Sequence, residues 1–365
     1  MKTIRSLLYR EILVSIFFIT LAFLFLLFFF DLTEELRSVN AFGYSFSNAF
    51  IYTALLIPTH VYELLPITAL IGTILVMARF AQSSEFTILR ISGLTPWLAI
   101  KSLLLLGFLF SLITFFIGEY LAPIADKNAQ LLKAKALGSI SAGQNGAWLK
   151  DRQADTKFAI KILGINSNET LNGISIYEFD NRGKPLSIIF ASSATIDKDQ
   201  VWNLKNIEKT FLNIDNEGYK KINRIQMKEL IWKSNISIEM VSGSILKPER
   251  MSALNLFRYM KHLDSNKQSS QIYEIEFWKK IFYPISCLVM MALALPYAYL
   301  NSRNRSIVIH VFSGVLLGIS YFLLNNIFGY MGNLKNWAPW LASALPGIFY
   351  SLISLTTFTW LVFRR

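Results

Sequence analysis

The chain has 365 residues, of which 53% are hydrophobic and 16% charged, and its mean hydropathy is +0.41. A soluble domain carries about 25% charged residues, so this composition excludes an ordinary soluble enzyme. The 29 Phe and 8 Trp exclude a disordered chain. The net charge of +12 (36 basic minus 24 acidic) needs no nucleic acid in a membrane chain, where cytoplasmic Lys/Arg and anionic lipid are sufficient; the single Cys287 excludes an internal disulfide and a multi-Cys metal centre.

Residues 12–30 hold 19 positions without a charge, enough to cross a hydrocarbon core of ~30 Å at ~1.5 Å per residue. No small-x-small cleavage site follows, and 31–37 continues as an acidic helix-like stretch, so the segment is expected to be a retained first span. Spans two and three are expected over 61–77, with Glu63 near one end and Pro66 inside, and 97–118, with Lys101 able to snorkel. After a long polar insertion, spans four to six are expected over 281–300, 307–330 and 337–363, the last containing Pro346. One set of loop ends holds Lys2, Arg5, Arg10, Arg79, Arg90, Arg303, Arg305, Arg364 and Arg365; the other holds Arg37 and Lys335. Nine against two places both termini in the cytoplasm and the long insertion outside.

Residues 122–273 change character. Phe158, Ile160 and Ile162 share one face, with Lys157 and Lys161 on the other; Ile174 and Ile176, then Trp202 and Leu204, repeat the alternation. Turn punctuation recurs at 164–168, Asn172-Gly173, 181–183, 197–199 and 216–218. Strands at this spacing predict an all-β domain, a sandwich or an open barrel-like sheet. Helices are expected over 125–137 and over 252–263, the second capped by Ser252. The chain thus divides into 1–121 (three spans with a cytoplasmic helix), 122–273 (the outer domain with flanking helices) and 274–365 (three spans).

No catalytic set is legible. A G-x-x-x-x-G-K-[ST] loop, a G-x-S-x-G elbow and an H-E-x-x-H pair are all missing from the sequence. His60, His262 and His310 are far apart in sequence; His262 is expected to be solvated, and His60 with Glu63 reads as an interfacial polar pair too small for a metal. No catalytic residue and no metal ligand is expected.

The segment between spans two and three predicts a short helix over 84–91. Ser84 is placed to cap it, Glu85 sits in its first turn, Arg90 in its last, and Gly93 stops it. Phe86 and Leu89, with Arg90 one step round, form an apolar ridge that fits either lipid or a groove on a cytoplasmic partner. Glu85 disfavours an anionic lipid surface and favours the partner.

The stretches Ser83-Ser84-Glu85 with Ser92-Gly93-Leu94-Thr95, Trp148-Leu149-Lys150-Asp151, Gly173-Ile174-Ser175-Ile176-Tyr177-Glu178-Phe179 and Lys280-Ile281-Phe282-Tyr283-Pro284-Ile285-Ser286 carry a resemblance. In this order and topology the chain resembles the permease subunits of the lipopolysaccharide export ABC transporter, the LptF/LptG family, with the second and third stretches nearer the LptG type. The resemblance implies a membrane α-helical fold of six transmembrane helices with an inserted periplasmic β-jellyroll. It implies an inner-membrane location, pairing with an LptF paralogue, docking on an LptB ATPase dimer and association with LptC. Lipopolysaccharide would be the substrate. No cofactor would be bound by this chain, and ATP and Mg would be used by the ATPase. Arg79, Ser84, Glu85, Phe86, Leu89, Arg90 and Gly93 would form the coupling helix region. The family's basic residues outside the first span are met here only by Arg37, so Lys279 and Lys280 are expected to share the lipid-phosphate role. An LptF-type paralogue and a membrane scaffold that binds envelope proteins are the alternatives.

Overall fold

The computed structural model describes residues 2–363 apart from 38, 40–43, 138–139, 142–146, 154–155, 166–169, 198–199, 215–219, 237, 239, 242–247, 266–267 and 300–306. The expected cytoplasmic Arg303, Arg305, Arg364 and Arg365, the turn at 216–218 and most of the turns at 164–168 and 197–199 lie outside the described residues. The chain forms two compact units: Met1–Thr33 with Leu56–Ala125 and Gln271–Arg365, and Glu34–Leu55 with Asp126–Ser270.

The first unit is helical. Among the described residues, five helical stretches are long and apolar enough to cross a membrane, and a bent helix pair supplies a sixth. Helices α1 (Lys2–Leu36) and α2 (Phe46–Gln82) far outrun the expected first and second spans, and α2 runs through both Pro58 and Pro66. Helix α3 (Glu85–Ile91) is the short element before α4 (Pro96–Phe116), which starts with a proline at its first position and Thr95 Oγ1 accepting from Leu98 N at 3.3 Å. A single π turn (Ile117–Leu121) joins α4 to α5 (Ala122–Leu137). Pro123 has no N–H to offer the preceding turn, so the ladder slips there by one residue.

The fourth span differs from the expected straight helix over 281–300. Helix α7 (Gln271–Phe282) and helix α8 (Ser286–Ala294, ending in a 3₁₀ turn, Leu295–Tyr299) meet at a bend of 48°. Pro284 has no N–H to offer the carbonyl of Lys280, and past it the bonds tighten to a three-residue spacing: the carbonyl of Phe282 accepts from Ile285 N at 3.1 Å, and that of Tyr283 from Ser286 N at 3.0 Å and Ser286 Oγ at 2.5 Å. Helices α9 (Ile307–Leu334) and α10 (Pro339–Phe363) complete the unit. Its core joins Ile12 and Ile16 of α1, Met77 and Phe80 of α2, Leu103 of α4 and Met291 of α8. Phe17, Phe18, Phe25 and Phe29 of α1 stay outside, which only lipid or another apolar helix would cover.

The second unit holds a seven-stranded antiparallel sheet. Strands β3 (Thr156–Ile165), β4 (Leu171–Phe179), β5 (Pro185–Ile196), β6 (Val201–Ile214) and β7 (Lys220–Lys233) follow one another as neighbours, while β1 (Ile140–Ser141) and β2 (Ala147–Gln153) share the free edge of β3. The predicted inward faces hold: Phe158, Ile160, Ile162, Ile174, Ile176, Trp202 and Leu204 are all buried. All the strands belong to one sheet, and a crease folds it. Buried positions switch parity between Ile162 and Ile165, Ile174 and Leu171, Ala191 and Ala194, and Ile207 and Leu204. These switch points are in register, with Gly164 paired to Asn172, Asn172 to Ser193, and Ser193 to Lys205. Two residues at the crease have positive φ, Gly173 (59°) and Asn206 (50°). Asn172-Gly173, expected as a turn, is therefore this crease inside β4. A Cβ at Gly173 would also lie 2.5 Å from Leu163 Cδ1. The turn at 181–183 forms as expected, with Gly183 at φ 82° and Asp180 Oδ1 accepting from Lys184 N at 2.7 Å.

Asp151 stitches one end of the folded sheet. Its carboxylate is 2% exposed and accepts from Ser234 Oγ, Asn235 N, Asn235 Nδ2 and Gln153 Nε2 at 2.9–3.2 Å. Gln153 Nε2 also donates to the carbonyl of Lys233 at 2.8 Å. The edge strand β2 is thereby tied to the chain leaving β7. Helix α6 (Ala253–Ser265) packs nearby, with Ser252 Oγ accepting from Asn255 N as predicted. His262, expected in solvent, is instead 6% exposed on α6 and hydrogen-bonded to the backbone of Lys150. The amphipathic helix turns its Tyr259, His262 and Leu263 face inward, and the imidazole goes with it.

Candidate functional site

The short helix expected over 84–91 forms over Glu85–Ile91, but its capping and its orientation differ. Ser84 has φ 61° and its hydroxyl caps nothing; its carbonyl accepts from Thr87 N and Ile88 N at 3.1 and 3.2 Å. The C-terminal stop is as predicted. Gly93 has φ 100°, Leu94 N donates to Leu89 O and Gly93 N to Arg90 O, both at 3.0 Å, which is a Schellman closure.

The ridge of Phe86 and Leu89 faces the unit's own core. Phe86 is 3% exposed and meets the Tyr299 ring edge-on at 4.9 Å, and Leu89 packs against the same cluster. Arg90 lies over Tyr299 at 5.3 Å, a cation–π contact that fixes the last turn. Arg79 is paired with Glu11 of α1. The face turned outward consists of Glu85, Ile88 and Ile91, with Ile88 61% and Ile91 83% exposed. A seven-residue helix has apolar pairs 86/89 and 88/91 on different sides, and its sequence alone does not say which is buried; Ile88 and Ile91 are the residues that reasoning from sequence misses.

Lys279 and Lys280 sit in the last turn of α7, before the bend. Lys279 Nζ is 2.6 Å from Glu276 Oε1, and both side chains are nearly buried. Gly329 of α9 leaves room for the lysine: a Cβ there would meet Lys279 Cε and Nζ at 2.6 Å. Lys280 Nζ is 5.4 Å above the Tyr62 ring and 3.5 Å from the carbonyl of Gly118. Arg37 is exposed just past α1. Close by in sequence, Glu35 is buried and held by Tyr44 Oη and Lys133 Nζ, each at 2.8 Å. Burial, then the bond to Glu35, pushes the Tyr44 phenol well above its usual range, so it stays a donor. His60, expected to pair with Glu63, makes its closer contact with Asp31 of α1: Nε2 is 2.5 Å from Oδ2, against 3.8 Å from Nδ1 to Glu63. Among the described residues, no three His, Cys, Asp or Glu side chains come together as a metal site would need.

Comparison with known proteins fits this architecture. Residues 6–360 match the family model described as lipopolysaccharide export system permease LptF/LptG. The chain is 30% identical over 335 residues to lipopolysaccharide export system permease protein LptG of Escherichia coli (strain K12), covering 91% of this chain and 90% of the relative. It is 26% identical over 339 residues to the LptG protein of Haemophilus influenzae, again covering 91% and 90%. With its apolar spanning helices and inserted all-β domain, the chain belongs to the lipopolysaccharide export system permease family LptF/LptG.

Proposed function

We propose that this chain is the LptG-type permease subunit of an inner-membrane ABC transporter that extracts lipopolysaccharide and passes it to a periplasmic bridge. It works beside an LptF paralogue and LptC, on an LptB dimer that uses the ATP and Mg; this chain binds no cofactor itself. Its termini and α3 lie in the cytoplasm and its β domain in the periplasm, which the nine-to-two division of basic residues supports. The blocks 1–121, 122–273 and 274–365 are the functional divisions.

The observation that carries the reading is the construction of α3. Phe86, Leu89 and Arg90 fasten it to the helical core through Tyr299, while Glu85, Ile88 and Ile91 point away from it. A helix anchored on one face and bare on the other moves as a rigid body when a partner grips the bare face. Extraction needs such a drive, because each buried CH₂ resists removal by ~0.8 kcal/mol and several acyl chains together by tens of kcal/mol. ATPase closure shifts α3, and α2 and α4, joined to it by the short links 83–84 and 92–95, narrow the lipid cavity shared with the paralogue. Arg37, Lys279 and Lys280 remain the proposed phosphate contacts; for Lys279 the phosphate would replace Glu276 as counter-ion.

The test is copurification of the ATPase with the tagged full chain. Glu85→Lys, and separately Ile91→Asp, are expected to lower the recovered ATPase at least tenfold. Undiminished recovery and normal export in both variants would contradict the coupling role.

A further inference from the structure

The β domain carries its positive charge unevenly. Pairing in register puts Trp148, Lys150 and Arg152 of β2 beside Lys161, Ala159 and Lys157 of β3, and these beside Ser175, Tyr177 and Phe179 of β4. All nine lie on the face opposite the buried Leu149, Ile160 and Ile176. Four are cations and three are aromatic. None of the four cations has a carboxylate at ion-pair distance among the described residues. The acids of these strands are engaged with other groups: Asp151 is buried and accepts from four donors, Glu178 accepts from Ser187 Oγ at 2.6 Å, and Asp180 caps its own turn. On the far side of the sheet the pattern differs, since Arg224 of β7 is matched by Glu208 of β6 at 2.7 Å.

The patch is not flat. Lys150, Arg152, Lys157 and Gly183, with Asp151 at its inner wall and Ser265 from α6, line a cavity of about 520 Å³. His262 holds α6 against the backbone of Lys150, which keeps Ser265 at the rim. Beside the cavity, Trp148 stacks on Tyr177 (5.7 Å between centroids, 22° between planes), and Lys161 sits 5.8 Å over Trp148. Trp148 is 52% exposed. Trp148, the exposed ring of the stacked pair, is a platform for a flat, apolar sugar face. Cations round a pocket without a carboxylate partner take a phosphate oxygen each, Lys157 turning from the Asn181 carbonyl it meets at 3.0 Å. A flat membrane surface would use the cations but leave both the cavity and the platform unexplained.

We infer that the outward face of β2–β4 is a binding site for a phosphorylated saccharide, the sugar-phosphate part of the exported glycolipid, separate from any site for its acyl chains. The inference rests on the lipopolysaccharide-export reading. The saccharide ring lies on Trp148 and its phosphate in the cavity between Lys150, Arg152 and Lys157. Long-range attraction by the four cations raises the local concentration of the polyanion, so binding weakens as salt rises.

The test uses the purified full chain in detergent and deacylated, phosphorylated lipopolysaccharide oligosaccharide as probe. The wild type is expected to bind it. The Lys150→Ala/Arg152→Ala/Lys157→Ala variant should lose at least tenfold in affinity, Trp148→Ala several-fold, and the Arg224→Ala control nothing. All these positions are exposed, and unchanged thermal unfolding checks that the variants fold. Removing the phosphates from the probe should cost at least tenfold. Equal binding by wild type and triple variant overturns the inference, as does competition by inorganic phosphate as effective as by the oligosaccharide, which would leave a bare anion site. Binding of anionic phospholipid vesicles without the oligosaccharide overturns it too, in favour of a membrane contact. Crosslinking of intact lipopolysaccharide to the chain separates the two levels. If it persists while the oligosaccharide fails to bind, this site is wrong and the export reading stands; if it is missing in the wild type, the export reading itself falls.

Discussion

Among the described residues of the β domain, Asp151 concentrates more hydrogen bonds than any other carboxylate, and it lies in one of the short stretches that carry the family resemblance. Four donors converge on it from Gln153, Ser234 and Asn235. Asp151→Ala removes the acceptor of the buried Ser234 hydroxyl and of the part-buried Asn235 donors, while Gln153 keeps the Lys233 carbonyl; bonds to a charged group are worth ~1.5–3 kcal/mol each, so a loss of at least about 2 kcal/mol is expected. It should appear as a lower unfolding temperature of the purified chain. His262 makes a pH prediction. Burial lowers its pKa, outweighing the opposite pull of Asp151 and of the Lys150 backbone. The unfolded chain therefore takes up this proton near the ordinary value of ~6.5 and the folded chain only at lower pH. The contribution to stability is complete above ~6.5 and is lost as pH falls from there to the folded value. The unfolding temperature should drop between pH 7 and pH 5, and His262→Gln should shrink that drop.

Among the elements, α3 separates what its residues do from what their types promise. Ser84 is at the capping position but its hydroxyl is idle, whereas Gly93 occupies a conformation that costs other residues about 1–2 kcal/mol. Hydrogen exchange of the α3 amides should be unchanged in Ser84→Ala and faster in Gly93→Ala. The legible parts of the fold are those with local signals. Uncharged runs mark the spans, and period-two alternation marks the inward faces at Phe158–Ile162 and Trp202–Leu204. The crease is not legible, because Asn172-Gly173 carries the same signal for a turn as for a sharp bend within a strand. Only its alignment with Gly164, Ser193 and Lys205 on neighbouring strands distinguishes them. The break at Pro284 has a local signal in the proline, yet a proline inside an apolar run is equally compatible with continuity, as Pro58 and Pro66 of α2 demonstrate. The inward side of α3 depends on Tyr299, more than two hundred residues away in sequence, and so does the exposure of Ile88 and Ile91.

At the scale of the whole molecule, the basic excess divides between orientation and a segregated patch. Nine Lys/Arg at one set of loop ends carry the proposed orientation of the spans, and four more cations gather on one face of β2–β4, away from the paired charges of β6 and β7. Lys279 and Glu276, nearly buried as a pair, illustrate the opposite arrangement, in which a charge inside the helical unit is matched at once. On the proposed function, the chain drives lipopolysaccharide out of the inner membrane through α3. The most direct measurement follows pulse-labelled lipopolysaccharide in cells whose own copy of this chain is depleted and replaced by wild type or Glu85→Lys. Label should accumulate in the inner membrane on depletion and with Glu85→Lys, and reach the outer membrane when wild type is restored. Arrival of label at the outer membrane at the normal rate, with the chain depleted or with Glu85→Lys in its place, would contradict export driven through α3.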